Sequence, residues 1–173
     1  MAIKDIIIKR KISKRKRDVQ FFNYDSANSV GILYNIDEKT DHERIKNYIT
    51  ELSGRVKDIQ ALGFVKKPED IGTKYFGQGK QNYFSEKHIT KTGNIKEICV
   101  NEFIDANLDI LVNLSYTNNF YVEYAFALSK AKFKVSGIID CKYSDLNINY
   151  DRNKGLDFFI SQVDHYLNTI KKA

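Results

Sequence analysis

Cysteine and histidine are scarce in this chain of 173 residues, with two of the first and three of the second. Cys99 and Cys141 fall in no CxxC spacing, and together with so few histidines they exclude an evident zinc-type cluster. Both thiols are expected to be buried and unreactive. Long apolar runs are missing too. No stretch approaches the roughly 20 residues of a membrane span, so no transmembrane segment is expected. Ile6-Ile7-Ile8 is followed at once by Lys9-Arg10-Lys11, which leaves no signal-peptide core. A cytoplasmic location is the resulting expectation. The glycine spacing of a dinucleotide loop does not follow the first predicted strand, and no cofactor is expected.

Charge is unevenly placed. Residues 1 to 18 hold eight lysines and arginines against two aspartates, while the rest of the chain is balanced, so the whole net charge of +6 sits at one end. Local charge density governs counterion release and steering, so a polyanion should meet this segment first. Ile3/Ile7 and Ile8/Ile12 are i,i+4 pairs with few breakers before Asp18, which predicts a helix with a basic polar side. We divide the chain into a basic N-terminal helical arm, residues 1–22, and one domain, residues 23–173. A domain of this size can bury roughly 70% of its unfolded surface and needs no staples. Three uses of the arm stay open: contact with RNA, contact with a membrane surface, or a helix docked on its own body with its charges solvated. The membrane use is the weaker, because the apolar stripe stops at Ile12 while the charge runs on to Arg17. The residues that would touch nucleic acid are Lys9, Arg10, Lys11, Lys14, Arg15, Lys16 and Arg17.

Beyond the arm, strand and helix signals alternate. Ser29 to Tyr34 predicts the first strand. Thr40-Asp41-His42-Glu43 matches a capping box and opens a helix that buries Ile45, Tyr48, Ile49 and Leu52 before Gly54. Ile59 to Val65 predicts a second strand with apolar residues on both sides. Lys66 to Lys80, with the only proline at Pro68, predicts a loop carrying one helical turn over Pro68 to Ile71, and Gln81 to Phe84 a short strand. Within that loop Gly77-Gln78-Gly79-Lys80 lacks phosphate-loop spacing and reads as a turn. A helix over Ile95 to Ala106, a strand over Leu108 to Leu114, a helix over Phe120 to Ala131 and a strand over Phe133 to Ile139 follow. Tyr143 to Tyr150 is an edge strand or a loop, and Leu156 to Ile170 carries the last amphipathic stripe. This alternation predicts an α/β fold with a mostly parallel sheet and flanking helices, a Rossmann-like or flavodoxin-like three-layer domain. In such sheets ligands collect beyond the carboxyl ends of the strands, here Asn35 to Asp37, Lys66 and Lys67, Ser115 to Asn119, and Asp140.

Glu123 is the only charged residue between Asp109 and Lys130, in the first turn of an otherwise apolar helix. The helix dipole favours its anion, whereas dry surroundings would raise its proton affinity towards values useful for acid/base or nucleophilic work. The plainer reading makes Glu123 a local cap or the partner of a lysine, with Ser115 and Asn118 capping the helix. His42 on a surface helix, His88 in a polar loop and His165 on an outer helix face are expected to be solvated.

The run from Ser115-Tyr116-Thr117-Asn118-Asn119 through Glu123-Tyr124-Ala125-Phe126-Ala127-Leu128-Ser129-Lys130 resembles the nucleoside 2-deoxyribosyltransferase family. That resemblance implies Glu123 as a nucleophile at the anomeric carbon, Ser115 as a loop or phosphate contact, and Asp37 as the acid near the first strand. The serine-glycine turn of that family is absent. Over most of its length the chain also resembles an uncharacterised small-protein family of Bacteroidota. Asn28-Ser29-Val30-Gly31-Ile32-Leu33, Ala61-Leu62-Gly63-Phe64-Val65 and Ala127-Leu128-Ser129-Lys130-Ala131-Lys132-Phe133-Lys134-Val135 carry the likeness. No activity follows from it. The leading expectation is a non-enzymatic protein that associates with RNA or a ribonucleoprotein, such as the ribosome, through its arm. The alternatives are a hydrolase or transferase at an N-glycosidic bond acting through Glu123, and a scaffold for a protein partner.

Overall fold

The structure is a computed structural model that describes residues 3–36 and 42–170. Asp37 and the Thr40-Asp41 half of the expected capping box lie outside the described residues. Six strands, β1 (Ser29–Ile36), β2 (Asp58–Val65), β3 (Gln81–Phe84), β4 (Ile110–Asn113), β5 (Phe133–Ser136) and β6 (Leu146–Asn147), form one sheet. Their order is β3-β2-β1-β4-β5-β6, and every neighbouring pair is parallel. This is the strand order of the doubly wound dinucleotide-binding architecture. The helices are α1 (Ile3–Ile12), α2 (His42–Ser53), α3 (Ile98–Asp105), α4 (Phe120–Leu128) and α5 (Gly155–Thr169).

Strand periodicity explains the three layers. Val30, Ile32 and Tyr34 of β1 point to a core shared with Ile45, Tyr48 and Leu52 of α2 and with Phe159, Ile160 and Val163 of α5. Leu33, with Leu111 of β4, points to the opposite face, where α3 and α4 pack. Because both faces are covered, β1 and β4 are buried along nearly their whole length and lack the half-polar alternation of an exposed sheet. Gly31 marks a close approach: a Cβ there would come within 2.5 Å of a methyl carbon of Leu108.

The basic helix α1 packs on the α3/α4 face. Ile8 is fully buried there and Ile7 and Ile12 pack beside it, while Ile3 and Ile6 are exposed. Burying an isoleucine completely contributes roughly 1.5 to 3 kcal/mol, enough to seat a short helix. The Lys4 ammonium lies 5.1 Å from the centre of the Phe120 ring. The helix stops at Ile12, short of the predicted Asp18, and an extended strap follows. Along that strap Arg15 pairs with Asp105, and Arg17 pairs with Asp145. Predicted helix α4 likewise ends earlier than Ala131. Ser129 is extended and its Oγ accepts from the Ala131 amide at 3.1 Å, so a side chain replaces the next helical carbonyl.

Candidate functional site at the carboxyl edge of the sheet

β1 and β4 are neighbours, yet α2 follows β1 onto one face and α4 follows β4 onto the other. The two connections diverge at the carboxyl ends of these strands and leave a crevice between them. Polar side chains hold its walls. Asn35, buried at the end of β1, donates from Nδ2 to Thr117 Oγ1 at 3.1 Å. Asn113 Oδ1 accepts from the Ser115 amide at 3.0 Å, and Ser136 Oγ accepts from the Ile138 amide at 3.1 Å, so β4 and β5 end in the same kind of side-chain turn. The Arg152 guanidinium ties the two turns together, donating to the Tyr116 carbonyl at 2.7 Å and to the Gly137 carbonyl at 3.2 Å.

Between these turns lies a cavity of about 70 Å³, open on one side. Val122, Phe126 and Ile138 form its apolar wall, and Asn113, Thr117, Asn118, Asn119, Glu123 and Asp140 its polar one. Asn119 is the cap of α4, its side chain accepting from the Tyr121 and Val122 amides at 2.9 and 3.3 Å. The capping expected of Ser115 and Asn118 therefore falls to Asn119, whose extended backbone suits the position. With those two amides taken, Glu123 in the same first turn is left to face the cavity half-buried. Burial raises its proton affinity first, the Asp5 carboxylate on α1 raises it further, and Lys142 opposes both. Asp140, which lines the cavity from the segment after β5, adopts the left-handed region with φ of 55°. Aspartate tolerates that conformation better than most residues, which makes it a fitting place to turn the chain at a rim.

Of the residues singled out from the sequence, Glu123 lines the cavity and Ser115 does not. Ser115 is 1% exposed, and its hydroxyl has no hydrogen-bond partner among the described residues. Asp37 is outside the described residues. Among the cations of the N-terminal segment, Lys11 donates to Asn94 Oδ1 at 2.9 Å, and Arg15 and Arg17 are held by carboxylates of the body. Lys9, Arg10, Lys14 and Lys16 are exposed. His42, expected in solvent, packs against Tyr75 and Tyr83, with a ring nitrogen 3.0 Å from the Tyr83 hydroxyl. His88 serves the turn at Ser85, its Nδ1 accepting from the Ser85 amide at 3.3 Å. His165 is exposed as expected. In the glycine turn, Lys80 is held by Asp58 at 2.7 Å. Both cysteines are only partly buried; Cys141 lines the Glu123 cavity, and the Cys99 thiol is pushed up to about 11 mainly by burial. Cys141 was not legible as a partner of Glu123, because only the β5–β6 connection brings residues 138–141 opposite α4; Asp140 is expected from the sequence at a strand end, and Phe126 lies three residues further along the same helix. Among the described residues no group of three or more metal-binding side chains occurs, and no helix is long and apolar enough to cross a membrane.

Residues 3–170 match the model of a family of unknown function (DUF6913). The chain belongs to that family. No curated protein and no solved structure matches it. The DUF6913 match takes in α1 and the strap as well as the sheet and its helices. It bears out the expectation of an uncharacterised α/β family, and the all-parallel sheet between helix layers bears out the fold class.

Proposed function

We propose that this protein binds a nucleoside or nucleotide at the carboxyl edge of its sheet and cleaves or transfers at the N-glycosidic bond through Glu123. The observation that carries this reading is the position of Glu123, a half-buried carboxylate facing a polar cavity between the turns that end β4 and β5. A carboxylate with few water partners is a better nucleophile than a solvated one, and the neighbouring amides and hydroxyl can orient a sugar. The resemblance of residues 115–130 to nucleoside 2-deoxyribosyltransferases supports the same chemistry. In the reaction a carboxylate oxygen of Glu123 bonds to the anomeric carbon as the carbon–nitrogen bond breaks. The base leaves with the bonding pair and takes a proton from water. Water or a second base then displaces the ester and restores the carboxylate. The test is incubation with a panel of nucleosides and nucleotides. Free base is expected with the wild type and is lost with Glu123→Gln; release from no substrate, or undiminished release by the variant, contradicts the reading.

A second reading, association with RNA or a ribonucleoprotein, rests on a different observation. The side chains of Arg10, Lys14 and Lys16 are exposed and make no ion pair among the described residues. Cations so placed can neutralise backbone phosphates, with an affinity that falls steeply with salt. A salt-titrated RNA-binding assay of the wild type against a variant with Arg10, Lys14 and Lys16 changed to alanine tests it. Equal affinity of the two proteins excludes this route.

A further inference from the structure

A second cavity, of about 280 Å³, opens at the carboxyl ends of β1 and β2, two strand intervals and roughly 10 Å along the edge from the Glu123 cavity. Ile36 and Val65, the last residues of the two strands, form its floor, and Tyr75 is one wall. Three lysines, Lys66, Lys67 and Lys74, line it together with a single carboxylate, Asp70. None of the three ammonium groups makes an ion pair among the described residues, whereas Lys80, Lys130 and Lys132 elsewhere in the body each hold an aspartate.

The loop that presents these lysines is ordered by its own backbone. The amides of Lys74 and Tyr75 both donate to the Asp70 carbonyl at 2.9 Å, and the Gly72 amide donates to the Tyr75 carbonyl at 2.8 Å. Lys74 stands 5.3 Å from the centre of the Tyr75 ring, and that ring is braced by His42 and Tyr83. Three like charges around one cavity of this size lie within about one screening length, roughly 8 to 10 Å, so they repel one another when no anion is present. We propose that this cavity binds the phosphoryl group of a small soluble phosphate ester. Three cations against one carboxylate match a phosphate dianion in charge, and lysine ammonium groups are effective point-charge partners for phosphate. The apolar floor and the tyrosine ring leave room for the organic part of the ester. The depression is open and its three lysines are exposed, but their small cluster suits a small phosphate ester better than a nucleic-acid backbone, which asks for an extended basic track. The proposal stands whether or not Glu123 acts on a glycosidic bond.

Calorimetric titration with adenosine, with adenosine 5′-monophosphate and with inorganic phosphate tests it, with vesicles containing an anionic phospholipid as a further arm. The wild type is expected to bind the monophosphate at least tenfold more tightly than adenosine. The triple variant Lys66→Ala, Lys67→Ala, Lys74→Ala should lose that preference, while Lys14→Ala with Lys16→Ala should keep it. If the triple variant does not fold, Lys74→Glu alone is read in the same way. No preference in the wild type, an unchanged preference in the triple variant, equal loss in the Lys14/Lys16 variant, or binding to vesicles alone overturns the proposal.

Discussion

Arg17 and Asp145, 128 residues apart in the chain, form a two-pronged ion pair that fastens the N-terminal strap to the connection between β5 and β6. The same guanidinium donates to the Ala131 carbonyl at 2.6 Å and to the Lys132 carbonyl at 3.0 Å. Asp145 in turn accepts from the Lys134 amide at 2.7 Å. Part of the positive charge concentrated at this end therefore acts as mortar between the strap and the sheet.

Removing Arg17 should expose that role. Hydrogen bonds to charged groups contribute about 1.5 to 3 kcal/mol each but are not additive within one network. Arg17→Ala is expected to lower stability by about 2 to 3 kcal/mol in urea denaturation. Lys14→Ala and Lys16→Ala, at exposed positions, should each change it by less than about 0.5 kcal/mol.

Lys134 is 1% exposed in β5, with its ammonium on the Ala127 carbonyl at 3.0 Å and 5.6 Å from the centre of the Phe126 ring. Burial, with Arg17 nearby, pushes it down to about 7. The unfolded chain holds this proton up to the ordinary lysine range, so between about pH 7 and pH 10 the unfolded state binds more protons than the folded one. Stability contributed by this site therefore rises with pH through that window, by at most about 1.4 kcal/mol per unit. Comparing denaturation at pH 7 and pH 9 in wild type and Lys134→Met checks the sign: the variant should show a smaller rise, and a larger one would contradict the assignment.

Glu123 gives the opposite slope. Its folded proton affinity is raised, so its ionisation weakens the fold as pH climbs past the ordinary glutamate range. Glu123→Gln is expected to melt slightly higher than the wild type at pH 7 and to match it near pH 4. Base release by the wild type, which needs the anion, should fall on acidification at a pH above the usual glutamate value.

Arg152 holds the β4 and β5 turns together from a third segment of the chain. Arg152→Ala removes two bonds from a charged donor, and we expect a loss of about 2 kcal/mol. Its effect on the Glu123 chemistry should show as a raised KM, because the walls of the cavity are no longer fixed to each other.

Most of the fold was legible because buried parallel strands leave short apolar runs and the helices between them keep a 3.6-residue stripe. β1, β2, β4 and α5 were placed within a few residues on that signal. Boundaries set by side chains were not legible: Ser129 stops α4 by taking an amide, and the strap after Ile12 extends because Arg15 and Arg17 reach distant carboxylates. Glu123 stood out by isolation in sequence. Asp140 is legible from the sequence as a strand end, whereas Cys141 joined Glu123 only through the pairing of β4 with β5, a long-range contact that no local pattern encodes. His42 was misjudged because Tyr75 and Tyr83 lie far along the chain from it.

The most direct measurement is a titration of isotopically labelled protein with the nucleoside panel, followed by amide chemical shifts. Shifts are expected to concentrate at residues 113–123 and 137–141 and to be reduced in Glu123→Gln. Shifts confined to residues 3–17, or no response to any nucleoside, would contradict the proposed function.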